Sequence, residues 1–251
     1  MKPFLHTALF VASSALSLLA QVSQVAVINY SGFNPTAPLA PGSIASAYGG
    51  FGTVATTATT TASPLPTTLA GISVRVNNRT SPIYFVSQGQ INFVLPVDTE
   101  SGAQVVEVRN GTTVIARGTV NVWEAFPALA SSDTTPTSQG IVQNQDFSIN
   151  SQSSRARRGE VIQIYATGCG KSNPVTIDGL APVALSPTVA KTEAFVANLP
   201  AIVQFSGAHP QFPGLCQINV IIPDQPFVAG QTPLFVTIGG IASNSVSVWV
   251  Q

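Results

Sequence analysis

The chain has 251 residues, and its ten basic and ten acidic residues leave no formal net charge. So sparse a charge excludes electrostatic capture of nucleic acid or an anionic lipid surface, both of which need a clustered basic face. Its 19 prolines and 20 glycines interrupt the sequence too often for long helices, and the abundant Thr, Ser, Asn and Gln point to a neutral polar coat over β-strands.

In chain order, residues 1–20 read as a secretory signal peptide. Lys2 supplies the positive start, Leu9 to Leu19 an apolar stretch broken by serines, and Ala20 a small residue suited to cleavage. No later run approaches the ~18 uncharged apolar residues of a membrane-spanning helix. The mature chain is therefore expected outside the cell or on its surface, without a membrane span. It divides into a first domain over 21–125 and a second over 126–251, with a Pro/Ser/Thr-rich linker region at 126–140. Each half is long enough to bury its own core.

Strand signals dominate. Ile72, Val74 and Val76 alternate with Ser73, Arg75 and Asn77, and Ile91, Phe93 and Leu95 alternate likewise, the period of a half-buried strand. Val246, Val248 and Val250 repeat it near the end. Tyr84 and Phe85 are adjacent, so a strand there places one of them in the core. Asn110-Gly111 lies between two β-rich runs and supplies the positive φ of a tight hairpin; Gly239-Gly240 does the same in the second half. Gly52 to Pro66, with its threonine runs, reads as a loop, matched by Lys171 to Thr188 in the second half.

The halves repeat one another. Gln90-Ile91-Asn92-Phe93-Val94-Leu95-Pro96 returns as Gln217-Ile218-Asn219-Val220-Ile221-Ile222-Pro223, and Gly42 to Tyr48 returns as Gly159 to Tyr165. The two tryptophans, Trp123 and Trp249, are spaced as a third matching landmark. A period of this length is domain-sized rather than a solenoid repeat. The expectation is an all-β chain, a tandem pair of Ig-like β-sandwich domains related by internal duplication.

Several of these segments resemble a known family. Pro41-Gly42-Ser43-Ile44, Pro64-Leu65-Pro66-Thr67-Thr68-Leu69 and Val86 to Phe93 are similar to the first half of the Solibacter-type C-terminal domain family of exported acidobacterial proteins. Asn144-Gln145-Asp146, Ala166-Thr167-Gly168-Cys169-Gly170 with Asn173-Pro174, and Gly214 to Pro223 are similar to its second half. The resemblance implies fold and export, and it carries over no catalytic residue, cofactor or metal. Family members commonly end larger exported proteins; here the module is expected alone behind its leader.

Export permits a disulfide, and Cys169 and Cys216 are the only cysteines, so they are expected to pair; two buried thiols are the alternative. Catalytic chemistry finds little support. His209, the one histidine after the leader, precedes Pro210 in an expected exposed turn, with no nucleophile elbow elsewhere. Cys169, His209 and Cys216 lack the short spacing of zinc ligands. Asn144, Asp146, Asn150 and Ser151 offer oxygens but lack the glycine and terminal glutamate of a calcium loop, and read as an Asx-rich turn. Arg155, Arg157 and Arg158 read as a solvated loop.

The expected function is a non-catalytic, exported, structural, adhesive or interaction role, with an extracellular protein or polysaccharide as partner. A carbohydrate-binding module is one alternative, with Tyr30, Tyr48, Trp123 and Trp249 as its candidate ligand surface, although recurrence of the tryptophans favours core or inter-domain packing. A hydrolase built on two of the ten dispersed carboxylates is the other.

Overall fold

The computed structural model describes residues 22–31, 36–133, 135 and 138–251. The expected leader and part of the expected linker lie outside the described residues. No described helix is long and apolar enough to cross a membrane, and the named elements are all strands.

The first half contains β1 (Ser23–Gln24), β2 (Ala26–Asn29), β3 (Ile44–Tyr48), β4 (Ala58–Thr59) and β5 (Ile72–Val76). It continues with β6 (Arg79–Ser81), β7 (Ile83–Val86), β8 (Gln90–Val94), β9 (Gly102–Asn110) and β10 (Thr113–Val122). These form two five-stranded sheets, β1-β10-β9-β5-β6 and β2-β3-β8-β7-β4. In β5, Ile72, Val74 and Val76 point inward while Ser73 and Arg75 are half-buried. They share one core with Phe51, Ile83, Ile91 and Phe93, all fully buried. Burying each such side chain stabilises the fold by roughly 1.5–3 kcal/mol.

The second half contains β11 (Ala128–Leu129), β12 (Val142–Gln143), β13 (Val161–Thr167), β14 (Thr192–Val196) and β15 (Leu199–Ala208). Then come β16 (Leu215–Ile221), β17 (Gly230–Ile238), β18 (Ile241–Ala242) and β19 (Val246–Val250). Its two faces are joined through β15, whose first residues pair with β14 and whose later residues pair with β16. In the first half the same path is broken at Pro82 into β6 and β7, since proline offers no ladder donor. A second core, with Leu129, Ile162, Ile164, Ile218 and Ile222, fills this sandwich.

The duplication holds residue by residue in strand register. Tyr48 pairs with Gln90 as Tyr165 pairs with Gln217, and Ile44 with Val94 as Val161 with Ile221. The β5–β6 turn carries positive φ at Asn77 and Asn78, and the β14–β15 turn at Ala197 and Asn198. Gly111 and the Gly239-Gly240 pair adopt the positive φ their hairpins require. Both halves also bring an upstream residue alongside the last strand in parallel, Leu39 against Val122 and Ala156 against Val250.

That last pairing corrects the match of the tryptophans. Val122 corresponds to Val250, so Trp123 corresponds to Gln251 and Trp249 to Asn121; the two indoles are two residues out of step. Nor is either a core residue, because Trp123 is 47% exposed and Trp249 is half-buried. Alternation also fails at Tyr84-Phe85, where both side chains are half-buried. A register shift between Ile83 and Phe85 bulges the strand at Tyr84, and an equivalent shift occurs between Val203 and Phe205. The threonine-rich segment is not all loop, since β4 lies within it and pairs with β7.

Cys169 and Cys216 form a disulfide. It ties a residue just beyond β13 to the second residue of β16, closing the end of a ladder in which Ala166 faces Cys216. Replacing both cysteines with alanine should lower the unfolding free energy by about 3–4 kcal/mol in the chain-entropy model for the 47-residue separation. Urea titration followed by circular dichroism measures the loss.

Candidate functional site

The two sandwiches meet end to end. The first contributes the start of β3, the end of β8 and the bulge of β7. Facing these are the end of β13, the start of β16 and the 171–188 loop. The buried hydroxyl of Thr167 accepts the Ile44 N–H at 2.8 Å and donates to the Gly214 carbonyl at 2.8 Å. Tyr84 donates its phenolic proton to the Pro213 carbonyl at 2.8 Å, and burial pushes the phenol's pKa well above its usual range. Ile44, Leu65 and Val94 pack with Tyr84 and Leu215 as a small separate apolar cluster. The two long loops also touch, the Leu65 N–H donating to the Gly179 carbonyl at 2.8 Å. A cavity of about 60 Å³ is left between the halves, lined from both sides.

Two glycines permit the approach. A Cβ on Gly214 would lie 2.8 Å from Ile44, and one on Gly168 only 2.1 Å from the Phe126 carbonyl oxygen. Both have positive φ. The Gly168 carbonyl also accepts the Phe126 N–H at 2.9 Å, fixing the connection between the halves.

One pair of acids converges here. Arg79 forms ion pairs with Asp98 of its own half and, at 3.9 Å, with Asp178 of the other. Asp178 also accepts the Val97 N–H at 2.8 Å. Burial pushes the Asp178 pKa up, and the Asp98 charge adds to this against the pull of Arg79 and the Val97 N–H. Both carboxylates are thus held in a clasp between domains.

The remaining predicted residues are distributed elsewhere. His209 is buried rather than exposed, because its ring packs against Tyr165 and Phe212. Its Nδ1 accepts the N–H groups of Gln211 and Phe212 at 3.1 and 3.2 Å, and burial lowers its pKa. Arg157 is exposed as expected, but Arg155 and Arg158 are not simply solvated. Arg155 lies over the Trp249 ring at 5.2 Å and Arg158 over Phe227 at 4.6 Å, since a guanidinium plane is weakly hydrated and stacks readily. The Asx cluster acts as a clamp. Asn150, 1% exposed, accepts the Trp249 N–H at 2.7 Å and donates to its carbonyl and to Asn144, each at 2.9 Å. Asp146 accepts the N–H and hydroxyl of Ser148 in the turn.

The four candidate ligand aromatics do not form one surface. Tyr30 is exposed beside Ile44, whereas half-buried Tyr48 lies at the other end of β3. Trp249 faces Gln231 on β17, while Trp123 lies by Ile238 at the far end of that strand, roughly 24 Å away at strand rise. Of the four, Trp123 borders a sizeable open groove. About 470 Å³ in volume, it is lined by Glu124, Lys171, Val189, Ile238 and Ile241 among others. Phe126 meets the indole edge-on, with ring centroids 5.8 Å apart. Sequence reasoning missed Glu124 and Lys171; the one available signal was that Trp123 opens the connection between the halves.

No family model matches the chain, and no curated protein matches it. Several solved structures align at low similarity. SGBP-B of the Bacteroides ovatus mixed-linkage glucan utilization locus, solved with a mixed-linkage heptasaccharide, gives a TM-score of 0.33 and 13% identity over 85% of this chain and 43% of its own. The Escherichia coli adhesin FdeC gives 0.25 and 13% over 95% of this chain and 66% of its own. The tandem Ig repeats of Dlar give 0.20 and 12% over 92% of this chain and 95% of their own. The chain spans less than half the length of the first. Values this low carry nothing about ligand or activity.

Gly168→Ala should destabilise the protein by about 2 kcal/mol or more, since positive φ and a carbonyl contact are both violated; denaturant titration measures it. Asp178 binds its proton more tightly folded than unfolded. Stability from this group is therefore full in acid and falls as pH rises from about 4 through the raised value. Thermal melts across that range should show the fall in the wild type and a flatter profile in Asp178→Asn.

Proposed function

We propose that the chain is a non-catalytic exported module with a structural, adhesive or interaction role at or outside the cell surface. The observation that carries this reading is the seam: hydrogen bonds, an apolar cluster and an ionic clasp dock the sandwiches end to end, which supports a spacer-like role. The disulfide supports an oxidising destination, and the leader expected over residues 1–20 and the resemblance to the Solibacter-type family support export. The acids brought together across the seam are occupied by Arg79 and a backbone N–H, which suits a positioning role better than the proton transfer a hydrolase requires.

Turnover decides between these readings. Purified mature protein incubated with panels of chromogenic glycosides and esters is expected to show no hydrolysis above the Asp98→Asn, Asp178→Asn double variant. Hydrolysis by wild type that the double variant loses would establish the carboxylate-pair enzyme instead. Protease shaving of intact source cells, with the culture medium assayed alongside, is expected to find the chain exposed or released.

A further inference from the structure

We propose that the groove beside Trp123 binds a segment of neutral polysaccharide. The proposal rests on reading the chain as an interaction module and names the ligand class of one site on it. Three observations carry it. First, the indole is 47% exposed at the edge of a groove of about 470 Å³, a size typical of small-ligand sites. Second, the wall beside it is aliphatic, from Val189, Ile238 and Ile241. Third, the rim carries Glu124 and Lys171, both exposed and neither in an ion pair among the described residues.

A pyranose ring has the complementary chemistry. Its axial C–H face stacks on an indole, and its equatorial hydroxyls can donate to a carboxylate and accept from an ammonium in the same pose. A strongly charged ligand would meet one charge of each sign and gain no net attraction. A lipid chain would strip water from Glu124 and Lys171 without replacing their hydrogen bonds, which is costly.

The groove is also fixed before any ligand arrives, which lowers the cost of binding. The connection that bears Trp123 is held by the Phe126 N–H to the Gly168 carbonyl at 2.9 Å. Val189 donates its N–H to the Lys171 carbonyl, and Gly239 to that of Lys191, both at 2.9 Å. Trp249 provides the contrast: Arg155 lies over its ring and Asn150 takes up its backbone.

The test uses the fact that the chain has two tryptophans. In Trp249→Phe, Trp123 is the sole indole, and its emission should change saturably on titration with cellopentaose, xylopentaose or mannopentaose, with little dependence on salt. Calorimetry should find the affinity for the responding sugar reduced about tenfold or more in Trp123→Ala and weakened in Lys171→Met, with thermal midpoints near wild type. No saturable response to any of the three sugars at millimolar concentration would overturn the proposal, as would full affinity in Trp123→Ala. Binding of the apolar dye anilinonaphthalene sulfonate at Trp123 without sugar binding would also overturn it, by assigning an apolar ligand. Attachment to intact source cells by Trp123→Ala equal to wild type, with sugars inert, would overturn the saccharide site and leave the interaction-module reading standing.

Discussion

A threonine oxygen can accept and donate at once, and Thr167 does both at the boundary between the halves, taking the Ile44 N–H and giving its proton to the Gly214 carbonyl. Thr167 is fully buried. Removing the hydroxyl would strand a buried partner at a cost of about 1–3 kcal/mol. Its position is set covalently a short step away, where Cys169 and Cys216 hold the end of β13 against the start of β16. The polar bond and the disulfide therefore act on the same few residues, one across the seam and one behind it.

Other contacts inherit their geometry from that point. Tyr84 reaches the Pro213 carbonyl because the adjoining Gly214 is held beside Ile44. The loop that leaves β13 through Gly170 carries Asp178 and Gly179 back to Val97 and Leu65. The same loop, at its two ends, supplies Lys171 and Val189 to the groove by Trp123. Docking and groove are thus two uses of one loop, and neither half of the chain alone contains the complete groove.

How much of this was legible in the sequence depends on the range of the forces involved. Local signals worked: the Gln-Ile-Asn motifs fall at equivalent registers, and the glycine turns adopt the φ they must. The cysteine pair could be reasoned out because no other thiol competes. Features that depend on contacts distant in sequence did not show. His209 looked like a turn residue because Tyr165, which covers it, is far upstream. Arg155 and Arg158 looked solvated because their aromatic partners, Trp249 and Phe227, lie far downstream. Strict alternation at Tyr84 was defeated by a bulge, which leaves no mark in residue type. The tryptophans misled because equal spacing in a duplicated chain need not mean equal register once loops differ in length.

The asymmetry between the halves makes this end-to-end contact specific to one pair of ends. Residues that build the seam do not recur at their equivalent positions. Where the second half has Thr167, the first has Gly50; where it has Cys169 and Cys216, the first has Gly52 and Gly89. In the other direction, Tyr84 corresponds to Gln204. The opposite end of the first sandwich therefore lacks the Thr167 hydroxyl and the disulfide behind it, and the opposite end of the second lacks the Tyr84 phenol. An identical contact cannot be propagated from chain to chain with these residues. The duplicated fold supplied two similar ends, and substitution at a handful of positions made one combination of them specific.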